Sequence, residues 1–569
     1  MAQEEETQHA LLIAWGQFAQ EIGLIAGIEA VKIKQKTVEH TPQTKVLEFL
    51  VAILAGIKHL QDISRAGHPL DQDTAVAKAW GRATWADYTG ISRTLTQLSW
   101  DEVRAVVRML EQVSPPFLER ALGLLSGLEY DGDLTGLPVS NTSKSYPGAT
   151  YGHMSDEIRL GYQAGLVSLG SPTYGRLWLS VEHHAGDTVS CTQAENLIRA
   201  AEKRTGQRPK RRTDLLKQRI EAFVMSREPA EKRLAAQQAR LEAARQSKSE
   251  ALTQLRALQD APVQKPKRIA TLERRCVRRD KAIAVALGKL EKTIAWLKAH
   301  LEQETLLRKR LEQFESDNVE NLKPVCAGFR LDAGFGTYDN LALLIEMGYE
   351  VYVKLHNHQI TRMLRDRVTN ETEWSRVGDN AEMVAWKDFQ PKNFPYTLDV
   401  ALECFHTGKT LKHSTLAHFG DTPVTTNLSA WFGKYNARQT IEAGIKETKQ
   451  VFCLHKLKVR SEPAIFLQEA LTIFAANFIR WATVWIEQNA VNDEQTLPIA
   501  TLGIKRQVQV AANTSAKVIQ NSDGMLVRFS PASVFAGKQL IFRRYEKPGP
   551  TNHFFALFTF FNLIAQKLR

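Results

Sequence analysis

Apolar positions change their period along this chain. Around Leu47 to Leu60, and again at Val103, Val106, Val107 and Leu110, they recur in steps of three and four, the spacing of one helix face. Residues 1–125 are therefore predicted to be helical, and Ser99-Trp-Asp-Glu102 fits a capping box at the start of the second run. Ile91-Ser-Arg-Thr-Leu-Thr suits either a small DNA-reading helix or one member of a plain helical bundle. Beyond that the period shortens. Leu128 to Val139, Gly161 to Leu169 and Arg176 to His184 are apolar or alternating runs with turn residues between them, which predicts three strands. A helix over Thr192 to Arg204 follows. Later come a short buried strand (Cys326 to Leu331), a helix (Tyr338 to Met347) and a strand (Tyr349 to Leu355). Strands alternating with helices imply an α/β sheet. Residues 370–428 are again strand-like. Trp431 to Leu457 and Ala464 to Ile486 are predicted helices, the second apolar enough to pack on the sheet. Residues 500–545 are predicted β-hairpins, one turning at Asn521-Ser-Asp-Gly524.

The sheet pattern is interrupted. Apolar residues at 269, 272, 276, 283, 287, 290, 294, 297 and 301 form a coiled-coil seam, and Leu234, Leu241, Leu252 and Leu255 form a weaker one upstream. The two prolines of Asp260-Ala-Pro-Val-Gln-Lys-Pro-Lys stop the helix between them. An antiparallel helical hairpin with its tip near 260–268 is predicted. Pro229 is expected to start its main first helix, which would then span roughly 45 Å to residue 259.

Charge sharpens this picture. Residues 208–316 contain 27 Lys and Arg against 14 Asp and Glu, while the whole chain carries +12, so the remaining residues together are near neutral at −1. A localised basic excess favours a polyanionic partner. Arg208-Pro-Lys-Arg-Arg212, Lys265, Lys267 and Arg268, and Arg274, Arg275, Arg278 and Arg279 are the candidate DNA contacts. A dimerising or spacing coiled coil with a solvated charged face explains the same pattern equally well.

Composition excludes several classes. The chain has 569 residues, enough for about three or four folded units. Its five cysteines are far apart with no C-x-x-C pair, against a disulfide framework or zinc ribbon. The acidic start Met1-Ala-Gln-Glu-Glu-Glu is not a signal peptide. The apolar runs Val51 to Ile57 and Phe554 to Ala565 are shorter than the ~18 residues a membrane span needs. A soluble intracellular protein is expected.

Three local sequences carry chemistry. Metal-assisted phosphodiester cleavage needs carboxylate oxygens converging from rigid elements. Glu129-Tyr-Asp131-Gly-Asp133-Leu-Thr135 offers two of them at the end of the first strand, or an ordinary solvated turn. Arg330-Leu-Asp332-Ala-Gly334-Phe-Gly336 runs a buried strand into an Asp beside glycines, where the plain alternative is a helix cap. In Tyr435-Asn-Ala-Arg438-Gln-Thr-Ile-Glu442-Ala-Gly-Ile-Lys-Glu-Thr-Lys449, Tyr435, Arg438, Glu442 and Lys449 fall within a stripe about 60° wide at about 100° per residue. A carboxylate between an Arg and a Lys suits phosphate binding. The alternative is an i,i+4 Arg–Glu pair on a solvated face.

The spacing Tyr435-x2-Arg438-x3-Glu442-x6-Lys449 resembles the YREK motif of a superfamily of bacterial insertion-sequence DDE transposases, the insertion sequence four type. Thr425-Thr-Asn427-Leu is similar to the Thr-Asn that often precedes it. Asp133-Leu-Thr135 and Arg330-x-Asp332 with Gly334-Phe335 resemble the family's first and second Asp motifs, in the same chain order. The resemblance covers roughly residues 125–460. It implies an α/β, RNase H-like core in three parts (126–206, 319–369 and 429–490). Set into or around that core would be a basic helical hairpin insertion (207–318), a β-rich insertion (370–428), an N-terminal helical, DNA-binding domain (1–125) and a partly β C-terminal domain (491–569). It further implies cut-and-paste DNA transposition. Asp133, Asp332 and Glu442 would be catalytic and bind two Mg²⁺, with Mn²⁺ able to substitute. Asp131 is the alternative first carboxylate. Tyr435, Arg438 and Lys449 would grip phosphates of double-stranded transposon-end and target DNA. A homodimer on DNA, no membrane, and a cytoplasmic, nucleoid-associated location in a bacterium follow from the same resemblance. Some relatives flip a base onto a Trp, for which Trp374, Trp386 and Trp431 are candidates, each equally readable as core packing. The reading from another class is a catalytically silent DNA-binding or scaffolding protein derived from a transposase.

Overall fold

The computed structural model describes residues 3–36, 39–142, 145–154, 157–263, 265–356, 358–408, 410–522 and 524–543. The apolar run Phe554 to Ala565 and the turn residue Asp523 lie outside them. The fold is mixed α/β. Its strands in chain order are β1 (Gln3–Thr7), β2 (Leu128–Pro138), β3 (Thr150–Met154), β4 (Glu157–Ser171), β5 (Gly175–Ala185), β6 (Ala327–Leu331), β7 (Glu350–Lys354), β8 (Ser375–Arg376), β9 (Ala381–Phe389), β10 (Leu398–Thr407), β11 (Thr410–Phe419), β12 (Ala516–Asn521), β13 (Gly524–Phe529) and β14 (Gln539–Arg543). Contacts divide the chain into two compact units. One is drawn from Met1–Gly206, Arg330–Phe335 and Lys434–Arg569, the other from Gln207–Phe329 and Gly336–Gly433. The first residues of β6 thus belong to the second unit and its last two to the first.

In the first unit β3, β4, β2 and the end of β6 lie side by side, and β5 pairs with the free length of β4. β2 and β4 are antiparallel, with Asp131 opposite Ser168 and Asp133 opposite Leu166. Asp133 is therefore in mid-strand, not at a strand end as the sequence suggested. The Glu462–Asn489 helix is apolar on nearly every side and buries eighteen residues, as a helix in the middle of a core must. It is hooked onto β5 by Asn477, whose side chain accepts from Trp178 N–H at 2.9 Å and donates to Trp178 C=O at 2.8 Å. The N-terminal helices pack in this same unit. Phe18 lies against Phe478 at 5.1 Å between ring centres, and Phe117 stacks on Trp481 at 4.4 Å. Ser99 and Glu102 form a complete capping box for the Trp100–Val113 helix. The chain is not helical from its first residues, because β1 pairs with β12 to begin a four-stranded sheet with β13 and β14. Residues 499–513 form short helical segments rather than part of a hairpin. Asn521 accepts from Gly524 N–H at 3.0 Å to close the β12–β13 turn.

In the second unit two long helices, Thr213–Gln259 and Pro266–Glu320, run antiparallel. Their ion pairs read Lys217–Glu315, Arg227–Glu304 and Lys248–Asp280 in order. Pro229 lies inside the first helix rather than at its start. The 16 residues before it stay helical because Leu216 and Ile220 are buried at the base, and that burial outweighs one missing hydrogen bond. The helix is 47 residues and hence about 70 Å long. β7 pairs with β11, and β11, β10, β9 and β8 continue as an antiparallel meander.

The predicted helix from Trp431 to Leu457 is shorter and broken. It forms Leu428–Asn436 and Gln439–Gln450. At the break Arg438 N–H bonds to Tyr435 C=O and Ile441 N–H to Arg438 C=O, both i→i−3, which tightens the turn and ends the regular α ladder. Cys453 at φ 55° closes the far end. Among the described residues no single helix is long and apolar enough to cross a membrane.

Candidate active site

Asp133, Asp332 and Glu442 all lie in the first unit, near enough for Asp332 and Glu442 to act on the charge of Asp133. β2 supplies Asp133, whose Oδ1 accepts from Leu134 N–H at 2.8 Å. Asp332 stands just past the end of β6, where its Oδ1 accepts from Gly334 N–H at 2.9 Å. A Cβ on Gly334 would come within 3.1 Å of that oxygen, so glycine allows the chain to fold tightly over the aspartate. Glu442 projects from the first turn of the Gln439–Gln450 helix.

Their charges act on one another. Burial pushes Asp133 up to about 7, with the negative charge of Asp332 next in importance and Glu442 adding to it, while Arg438 opposes. Burial also works against the charge on Arg438, but Tyr435, Glu442, Asp133 and Asp332 together outweigh it and hold the guanidinium above its ordinary value. Arg438 donates to Glu442 Oε1 at 2.6 Å. Its buried Nε has no partner. Lys449, in the last turn of the same helix, is lowered by burial, with Asp133 pulling the other way. The break after Tyr435 removes the single continuous helix on which the stripe was reckoned, yet Arg438, Glu442 and Lys449 still act on the charge of Asp133, and Tyr435 on that of Arg438. As placed, Glu442 faces Arg438. Among the described residues no three His, Cys, Asp or Glu side chains stand close enough together to hold a metal ion.

Asp131, the alternative first carboxylate, is otherwise engaged. It is 1% exposed, and both its oxygens accept from Arg330, Oδ1 from Nε at 2.7 Å and Oδ2 from Nη2 at 2.9 Å. Burial raises the carboxyl above its ordinary value even though this fork pulls it down. Sequence reasoning missed Arg330. The available signal was a repeated step of two: Asp131 precedes Asp133 as Arg330 precedes Asp332, and residues two apart share one face of a strand. It also missed the packing behind the Gln439–Gln450 helix. Buried Arg176, pushed down to about 10 by that burial, lies where a Cβ on Gly444 would overlap its guanidinium. Arg480 pairs with Glu447 at 2.8 Å.

The predicted basic contacts divide in two. Arg208, Arg211 and Arg212 are spent inside the second unit. Arg211 is 2% exposed and bonds Asp317 at 2.8 Å and Met347 C=O at 3.0 Å. Arg212 bonds the carbonyls of Ile345 and Tyr349, and Arg208 pairs with Asp317 and Glu320. Lys265, Lys267, Arg268, Arg274 and Arg275 are exposed around the hairpin tip and make no ion pair among the described residues. Of the tryptophan candidates, Trp431 is core, 1% exposed with its ring edge toward His418, while Trp374 and Trp386 are half-buried.

No family model matches the chain, and no curated protein matches it.

Proposed function

We propose that this chain is a Mg²⁺-dependent DNA transposase of the cut-and-paste kind, with Asp133, Asp332 and Glu442 as its catalytic carboxylates on an RNase H-like core. The observation that carries this reading is the charge coupling of Asp133 to Asp332 and Glu442 at a point where Arg438 and Lys449 also converge. The donor chemistry suits the metal: three carboxylates offer only hard oxygen atoms, which Mg²⁺ and Mn²⁺ prefer, and a cation would offset the charges of Asp332 and Glu442 that add to burial in raising Asp133. When bound, two such ions would activate a water or a DNA 3′-hydroxyl and offset charge on the attacked phosphate. The side chains do the rest. Asp133 sits on β2 and Asp332 just past the end of β6, and Glu442 completes the set by turning from Arg438. Arg438, thus freed, and Lys449 bind phosphates of the DNA strand, and Tyr435 packs against Arg438.

The exposed cations of the hairpin tip supply sequence-independent grip on DNA, and synapsis of two ends calls for a second copy of the chain. The test is strand cleavage, with Mg²⁺, of a duplex carrying the inverted repeats that bracket the coding sequence. Glu442→Gln is expected to bind this duplex as wild type does and to cut it at least a hundredfold more slowly. The Arg438–Glu442 pair favours one other reading, a DNA-binding or scaffolding protein without catalysis. Salt-dependent binding by wild type, with no Mg²⁺-dependent cleavage under any condition, would establish that reading instead.

A further inference from the structure

One guanidinium joins three of the elements around the candidate site, β6, β2 and the Leu428–Asn436 helix. Arg330 lies on β6 two residues before Asp332. Its fork closes on Asp131 of β2, two residues before Asp133. Its remaining nitrogen, Nη1, points to Lys434 C=O at 3.4 Å, near the end of the Leu428–Asn436 helix, four residues before Arg438. Lys434 in turn reaches back to Glu129 of β2 at 3.0 Å. Arg330 and Asp131 are both buried, and a fork of two parallel hydrogen bonds fixes direction as well as distance.

We propose that the Arg330–Asp131 fork is the positioning device of the site, and that Asp131 is not a metal ligand. β2 and β6 are neighbours in the sheet, and a slip of one residue between paired strands sends every side chain to the opposite face. The fork opposes such a slip, because it ties β2 to the end of β6 two residues before each of the two aspartates. Through Lys434 C=O the same guanidinium sets where the chain enters the turn bearing Arg438 and Glu442. A buried charge pair is a costly way to hold two strands together, and here it stands two residues before each of the two aspartates.

The proposal rests on the transposase reading, and the experiment separates the two. Full-length Asp131→Asn, Arg330→Gln, the double variant, Arg330→Lys and Asp133→Asn are compared for cleavage rate at saturating duplex, for duplex affinity and for thermal unfolding. Arg330→Lys keeps the charge and loses the fork. It is expected to remain folded, to bind duplex within about twofold of wild type and to cut at least tenfold more slowly at saturation. Asp131→Asn and Arg330→Gln are expected to lose similar factors, and the double variant no more than either, since both remove one interaction. Arg330→Lys cutting at the wild-type rate would overturn the proposal. So would an inert Asp131→Asn beside a nearly unimpaired Arg330→Gln, because Asp131 would then act without its partner, as a ligand. If Asp133→Asn itself cuts like wild type, the transposase site is what fails.

Discussion

A carboxyl group buried without a cation costs stability as pH rises, and Glu48 is such a group. It is 0% exposed and accepts from Ala86 N–H at 2.8 Å, and burial pushes it from 4.5 up to about 9. Its folded-state value lies above its unfolded one, so its favourable contribution is full below about pH 4.5 and fades as pH climbs toward 9. Glu48→Gln keeps an acceptor for Ala86 and removes the titration. Its unfolding free energy is expected to gain on wild type from pH 5 to pH 9, by up to about 1.4 kcal/mol per pH unit in denaturant titrations. A constant difference across that range would show that Glu48 stays ionised. At this same scale the candidate carboxylates are marked by local motifs and their supports are not. Asp133, Asp332 and Glu442 stand in local motifs whose spacing survives in one dimension. Asp131 and Arg330 are 199 residues apart, and Arg176 meets Gly444 only through packing, so neither pairing leaves a local trace beyond the two-residue step.

Elements were legible where period decides and obscure where pairing does. Apolar runs announced β2, β4, β5, β6 and β7 to within a few residues. β1, with the sequence Gln-Glu-Glu-Glu-Thr, has no strand character of its own and becomes a strand by pairing with β12. β3 likewise depends on β4. The break between Tyr435 and Arg438 carries neither Pro nor Gly and is written only in its i→i−3 hydrogen bonds. The attachment of the Glu462–Asn489 helix gives a prediction at this scale. Asn477→Ala strands the buried N–H and C=O of Trp178, and about 2–4 kcal/mol of unfolding free energy should be lost in a denaturant titration. A loss under about 0.5 kcal/mol would mean that the helix is held by its apolar faces alone.

For the whole molecule the telling quantity is where charge remains after internal pairing. The basic excess of residues 208–316 divides into a base whose arginines are consumed by Asp317, Glu346 and backbone carbonyls and a tip whose cations face solvent. The tip is where exposed cations cluster most closely in sequence. Replacing Lys265, Lys267, Arg268, Arg274 and Arg275 by Gln should lower the slope of log affinity against log salt by up to about 4. An unchanged slope would make the tip a solvated spacer.

The central claim is that Asp133, Asp332 and Glu442 jointly hold metal ions on DNA. It is tested most directly by counting Mn²⁺ bound to the full chain in complex with end duplex, by paramagnetic resonance. The account predicts two ions for the wild type, fewer for each of Asp133→Asn, Asp332→Asn and Glu442→Gln, and an unchanged two for Asp131→Asn. Equal occupancy in the wild type and Asp133→Asn would contradict it.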